Sequence, residues 1–213
     1  MKVERPLQAK LDRPRDCVKL FFKTNPVAEY CMRGGVAWPF AYQSGTDMTV
    51  RGYAVLIGMD VRTKHMIVFE YAEFCTVDHI IASDGSMKQT GVSQWLNNNW
   101  TKYNAINYYW HEIGIVNLRY RRAVKQCIAI NPKPKFKEAK WSDEDSAQHI
   151  IWQAITEERL TMPPKLLQAL QVAQANPDMP NPEQHALLCA LASFEQKPWR
   201  QREAQPSWWR PDI

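Results

Sequence analysis

The chain has 213 residues, 45% of them apolar and 23% charged, and its 27 Lys and Arg against 22 Asp and Glu leave a formal charge of +5. That profile belongs to a globular protein and excludes disordered and collagen-like chains; the length suits one domain of about 150 residues with an appendage, or one of about 200. No run approaches the roughly 20 apolar residues needed to cross a bilayer, and MKVERPLQAK at the start has charges with no apolar stretch behind them, so neither a membrane protein nor a secreted one is expected. Cys17, Cys31, Cys75, Cys127 and Cys189 stand singly, with no C-x-x-C pair, which fits a reducing cytoplasm.

Residues 1–16 are polar, with Pro6 and Pro14, and read as an arm with little structure of its own. CVKLFF, Cys17 to Phe22, is a short apolar run, and the Gly- and Pro-punctuated RGGVAWPFAYQSGTD after it reads as a loop or a peripheral strand pair. The strongest β signal starts at Val50: VRGYAVLIGMD and HMIVFEYAEF flank Val61–Lys64 as an antiparallel hairpin, and CTVDHIIA follows as a third strand, stopping at Ser83-Asp84-Gly85. The period then changes. Val92, Trp95, Leu96, Asn99, Trp100 and Tyr103 fall three or four apart and predict a helix that ends at Asn104. AINYYW, Ala105 to Trp110, predicts a fourth strand. Ile113, Val116, Tyr120, Val124 and Cys127 predict a second helix, and Ile128 to Asn131 a fifth strand.

NPKPKFKEAK, Asn131 to Lys140, has prolines that forbid a helix and reads as a basic, extended connector. Ser142-Asp-Glu-Asp is a helix start, with Ala147, Ile150, Ile151, Ala154 and Ile155 as the buried stripe. Helices over Pro164–Ala175 and Glu183–Phe194 follow, and KPWRQREAQPSWWRPDI ends the chain as a Trp-, Arg- and Pro-rich tail. The chain divides into an N-terminal arm with peripheral strands (1–47), an α/β core (48–158) and a helical extension with its tail (159–213).

The element order β-β-β-α-β-α-β then α, with LIGMDVRTKHMIVFE from Leu56 to Glu70, YYWHEIG around Glu112 and WSDEDSAQHIIWQAI after it, resembles the ribonuclease H-like nucleases, a superfamily that includes junction resolvases and the nuclease domains of phage terminases. The resemblance implies a mixed sheet in an α/β fold, with an aspartate on the first strand, an acid at the end of the fourth and further acids on a late helix converging on Mg²⁺ or Mn²⁺. Carried over residue by residue, Asp60, Glu112 and Asp143 or Asp145 are the catalytic acids, Asp60, Glu112 and Asp145 the metal ligands, and His149 a residue orienting water or a carboxylate. Two hard cations about 4 Å apart need separated oxygen ligands that leave room for water and phosphate. Glu70 and Glu73 are reserve ligands, since a one-residue slip of register changes which carboxylate faces the site.

Each acid also has a plain structural reading. Asp60 sits where a hairpin turn takes an aspartate, Glu112 reads as a surface acid, and Asp143, Glu144 and Asp145 stabilise a helix start by about 0.3–1 kcal/mol through its dipole. VDHIIASDGS with Asn97, Asn98, Asn99 and Asn104 loosely resembles a His-Asn-His nuclease, in which His79 is the general base, but the following helix is too long and lacks a second His or Cys. Arg119, Arg121, Arg122, Lys125, Lys133, Lys135, Lys137 and Lys140 face Glu138 alone over residues 119–140, the electrostatic footprint of a DNA- or RNA-binding segment. No mononucleotide-binding, dinucleotide-binding, serine-hydrolase or zinc-protease motif occurs. The expected function is metal-dependent phosphodiester hydrolysis on DNA or RNA in the cytoplasm. The alternative is a non-catalytic accessory factor, of phage or plasmid type, binding nucleic acid or protein through the basic segment and the tail 197–213; a third reading is a scaffold that docks by the tail.

Overall fold

The structure is a computed structural model and describes residues 5–12, 17–23, 27–44, 47–74, 92–105, 107–110, 135–139, 144–175 and 181–196. In chain order it contains β1 (Gln8–Asp12), β2 (Cys17–Phe21), β3 (Ala28–Ser44), β4 (Asp47–Asp60), β5 (Met66–Phe74), α1 (Val92–Tyr103), β6 (Asn107–Trp110), β7 (Lys135–Glu138), α2 (Glu144–Thr156), β8 (Leu160–Thr161), α3 (Pro164–Ala175) and α4 (Pro182–Gln196). The fold is mixed α/β, as the sequence predicts, and one sheet holds all eight strands.

β3 organises that sheet. Along one edge it pairs antiparallel with β4 from Tyr30↔Asp60 to Ser44↔Asp47. Its other edge is shared: β2 pairs antiparallel with Ala28–Tyr30, and β6 pairs parallel at Gly34 and Gly35. β1 lies outside β2, β5 lies outside β4, β8 lies parallel to the start of β5, and β7 lies parallel to β6. Across the centre the order is β5-β4-β3-β6-β7, three antiparallel strands followed by two that run with β3.

The alternation of β3 feeds two cores. Tyr30, Met32 and Val36 join Leu56, Phe69, Tyr108 and Trp110 beneath Trp95, Leu96 and Tyr103 of α1. Cys31 and Ala37 join Tyr53, Val55, Ile57 and Val68 beneath Ile151 and Ala154 of α2, Leu166 and Leu170 of α3, and Ala186, Leu187, Ala190, Leu191 and Phe194 of α4. Tyr53–Ile57 is therefore buried throughout, the mark of a strand covered on both faces; Leu56 and Ile57, each fully buried, contribute about 1.5–3 kcal/mol apiece.

Local chemistry sets the helix boundaries. Asn104, with φ 50°, takes the left-handed position after α1, and its Nδ2 donates to the Ala9 carbonyl at 2.6 Å. α2 ends in a Schellman turn: Arg159 N–H donates to Ala154 O at 2.9 Å and Glu158 N–H to Ile155 O at 3.0 Å, with Glu158 at φ 52°. α4 starts on Asn181, whose Oδ1 accepts the Gln184 N–H at 2.7 Å, with Pro182 as its first residue.

The helices over 92–103, 164–175 and 182–196 and the strand before Trp110 agree with the sequence. The N-terminal third departs from it. The stretch read as an arm contains β1, and the punctuated stretch after it is β3, the longest strand described, so the 50–60 strand is the second of the central antiparallel set. Gly34 and Gly35 punctuate the stretch read as a loop or a peripheral strand pair, but the need for glycine is steric: a Cβ on Gly34 would lie 2.2 Å from the Tyr108 ring, and one on Gly35 would lie 1.8 Å from the Ala186 carbonyl oxygen of α4. The basic connector contributes β7, which begins directly after the second of its two prolines, Pro134. α4 crosses the sheet instead of extending from it, because its small face, Ala186 and Ala190, meets the bare backbone of Gly35. The strands expected at 75–82 and 128–131 and the helix expected at 113–127 lie outside the described residues. Among the described residues no helix is long and apolar enough to cross a membrane.

Candidate functional site

Of the expected acids, Asp60 is the one whose side-chain contacts the structure describes. Asp60 closes β4, level with the start of β3. Its Oδ1 accepts the N–H groups of Arg62 and Thr63, both at 2.8 Å, while its backbone bonds to Lys64 and His65 across the turn. Lys64, at φ 61°, completes the reversal. The carboxylate thus does the work of a turn-forming aspartate. At the same end His65 Nε2 meets Thr161 Oγ1 at 2.7 Å, tying the turn to β8.

β6 and β7 run the other way, away from Asp60. Tyr109 is level with Gly35, five residues along β3 from the partner of Asp60, or about 17 Å. Trp110 then leads toward Glu112, which lies outside the described residues, as does Asp143. The backbone of Asp145 is described, in the first turn of α2. From there the helix runs about 18 Å to Glu157, beside which Arg159 accepts the Met66 N–H and the chain joins β5 at the Asp60 end. Asp60 and Asp145 are therefore not brought together: ligands shared by two cations about 4 Å apart must lie within a few ångströms of each other. His149 is exposed partway along α2. In the chain Glu112 follows β6, and Asp143 and Asp145 lie around the start of α2, with Asp145 alone of the three having a described backbone. β3, the strand that passes beside β6, carries no acid between Glu29 and Asp47. Among the described residues no three His, Cys, Asp or Glu side chains form a group able to hold a metal ion.

The reserve acids have other tasks or positions. Glu70 accepts from Lys102 Nζ at 3.0 Å and from Tyr103 Oη at 2.9 Å, clamping the end of α1 to β5. Glu73 is exposed on β5 opposite Tyr53. Burial first, then the Glu70 charge and hydrogen bond, push the Tyr103 phenol well above its ordinary value. The sign of the pH effect follows. Below about pH 10 Tyr103 is protonated folded or unfolded and contributes nothing; above it the unfolded chain releases a proton that the folded chain keeps, so stability falls by about 1.4 kcal/mol per pH unit for this tyrosine. Urea midpoints across pH 8 to about 11 are expected to fall less steeply for Tyr103→Phe than for the wild type. An unchanged slope would mean that Tyr103 ionises as freely in the native state as in the unfolded one.

Of the basic segment, Lys135 is exposed on β7. Lys137 is half-buried, donates to Asn107 Oδ1 at 3.3 Å and sits 5.6 Å from the Tyr109 ring centroid, so part of its charge is committed to holding β7 on β6. Arg119, Arg121, Arg122, Lys125, Lys133 and Lys140 lie outside the described residues, as does His79 of the His-Asn-His reading. Of the asparagines in that reading, Asn99 is buried and Asn104 holds β1, while Asn98 is exposed.

What the sequence reading missed is β3 itself, and with it the strand that neighbours β6. Its signal was present in YCMRGGVA, where residues buried on alternate faces recur at period two through the Gly pair. Comparison of the chain with protein-family models, curated proteins and solved structures gives no match.

Proposed function

We propose that the protein acts on nucleic acid through a core of ribonuclease H-like order, hydrolysing phosphodiester bonds with Mg²⁺ or Mn²⁺ held by Glu112 with Asp143 or Asp145. One observation carries this reading. An active site built from the first strand of an antiparallel set, the end of the fourth strand and a late helix requires the first and fourth strands to be parallel neighbours, and β3 and β6 are parallel neighbours. In this arrangement Asp60 is a turn residue and leaves the ligand set. The carboxylates of Glu112 and of Asp143 or Asp145 would hold the cations, whose chemistry would be to activate water and to stabilise charge on the phosphate, and exposed Lys135 with the rest of the basic segment would contact the phosphate backbone.

A second reading, a nucleic-acid-binding or protein-binding factor without hydrolysis, is favoured by the absence of an acid on β3 beside β6; in it the basic segment and the tail 197–213 make the contacts. Fold order alone does not carry chemistry with it. Cleavage of labelled single-stranded, duplex and branched DNA and of RNA, with Mg²⁺ or Mn²⁺ and an EDTA control, separates the two. The hydrolytic reading expects metal-dependent cleavage that is lost in Glu112→Gln and in the double variant Asp143→Asn/Asp145→Asn but kept in Asp60→Asn, whose amide oxygen still accepts the turn hydrogen bonds. Salt-sensitive binding with no cleavage in any metal would sink that reading and leave the second.

A further inference from the structure

The antiparallel pair β1 and β2 has one face covered and one open. Its alternation turns Ala9, Leu11, Val18 and Leu20 toward the core beneath α1, so Gln8, Lys10, Lys19 and Phe21 take the opposite face. On that side of the sheet no residue of β1 or β2 joins the core beneath α2, α3 and α4. Gln8 and Lys10 are exposed and Lys19 and Phe21 half-buried.

The charges on the open face work against the fold. Lys10 stands directly opposite Lys19, and like charges in that relation repel. Lys19 has an acid on its other side, Glu29 Oε1 at 3.2 Å. Lys10 does not: among the described residues neither it nor exposed Lys23 forms an ion pair. Phe21 lies in the midst of these lysines, opposite Gln8, diagonal to Lys10, two residues past Lys19 and two before Lys23. Cations about 7 Å apart along a strand, set around an aromatic ring, complement a chain that repeats phosphates and offers base faces for stacking. A duplex keeps its base faces inside the stack, so it could use the lysines but not the ring.

We infer that this face of β1 and β2 binds single-stranded nucleic acid, with a base stacked on Phe21 and phosphates at Lys10 and Lys23. It is a contact separate from the basic segment of residues 119–140. The inference rests on the nucleic-acid part of the proposed function and not on hydrolysis.

Fluorescence anisotropy of a labelled oligothymidine and of a labelled duplex, over a salt series without divalent metal, tests it with the full chain. The double variant Lys10→Gln/Lys23→Gln is expected to flatten the slope of log affinity against log salt by about 1.4, which is two phosphates at about 0.7 each. The same variant is expected to melt at or above the wild-type temperature, because the repulsion between Lys10 and Lys19 is gone; weaker binding then cannot be laid to misfolding. Phe21→Leu keeps an apolar side chain in place and is expected to weaken single-strand binding about fivefold or more, with the salt slope and duplex binding unchanged. Arg121→Gln/Arg122→Gln separates this inference from the wider reading. Single-strand binding that depends on those arginines but is untouched by the lysine and Phe21 variants overturns the inference and leaves the proposed function standing. Lysine dependence without any effect of Phe21→Leu makes the face a plain phosphate contact and also overturns it. A wild type that binds no nucleic acid overturns both.

Discussion

Replacing Gly35 by alanine is expected to lower folding stability by about 3 kcal/mol, the upper end of what overpacking costs. Two effects oppose each other here. In a strand, alanine in place of glycine gains roughly 0.5–1 kcal/mol by restricting the unfolded chain. Against that, the new methyl would lie 1.8 Å from the Ala186 carbonyl oxygen and 2.7 Å from the Ala190 nitrogen. Both are backbone atoms of a regular helix, so no rotamer change relieves the contact; α4 must lift off β3 and lose packing along Leu187, Leu191 and Phe194. The steric cost wins. A urea titration reads this as a lowered midpoint with m little changed; a midpoint within experimental error of wild type would mean that α4 does not seat on Gly35.

Trp110→Ala is expected to be as severe, about 3–5 kcal/mol. Trp110 is 1% exposed and is among the largest fully buried side chains. It shares a core with Tyr108 and Trp95, whose rings meet edge-on at 5.9 Å, and its backbone carbonyl accepts the Ala139 N–H, fastening the end of β7. Removing the indole opens a cavity at the strand end from which the segment bearing Glu112 departs, so the variant is expected to unfold first there, with hydrogen exchange rising in β6 and β7 before β4. Trp110→Phe, which keeps most of the ring volume, is expected to fall between the two. Equal thermal midpoints for wild type and Trp110→Ala would rule out this core.

The elements that were legible in the sequence are those fixed by near neighbours. α1, α3 and α4 carry apolar residues at helical spacing and end on Asn104, begin on Pro164, or begin on Asn181-Pro182, all of which act within one turn. β3 was illegible because its glycines answer to partners far along the chain: Tyr108 for Gly34 and Ala186 for Gly35. A Gly pair beside a proline looks locally like a turn whatever the distant reason for it. The candidate site was half legible for a related cause. Chain order puts Glu112 after β6 and Asp145 at the start of α2, but it cannot give strand direction. β4 runs antiparallel to β3 while β6 runs parallel to it, so an acid at the end of β4 arrives where β6 begins, and Asp60 falls to the turn.

The seating of α4 on Gly35 also has a consequence for synthesis. The ribosome delivers β1 through β5 well before Pro182–Gln196 exists, and the sheet face formed by Cys31, Ala37, Val55 and Ile57 is roofed by helices that are all encoded later. Throughout most of translation that face is an apolar surface awaiting its cover, held in a chain whose key contacts span large sequence separations and so form slowly. Until its cover is made, that face is the part of the chain most open to association with other chains, a hazard set by the order of synthesis and not by the stability of the finished fold.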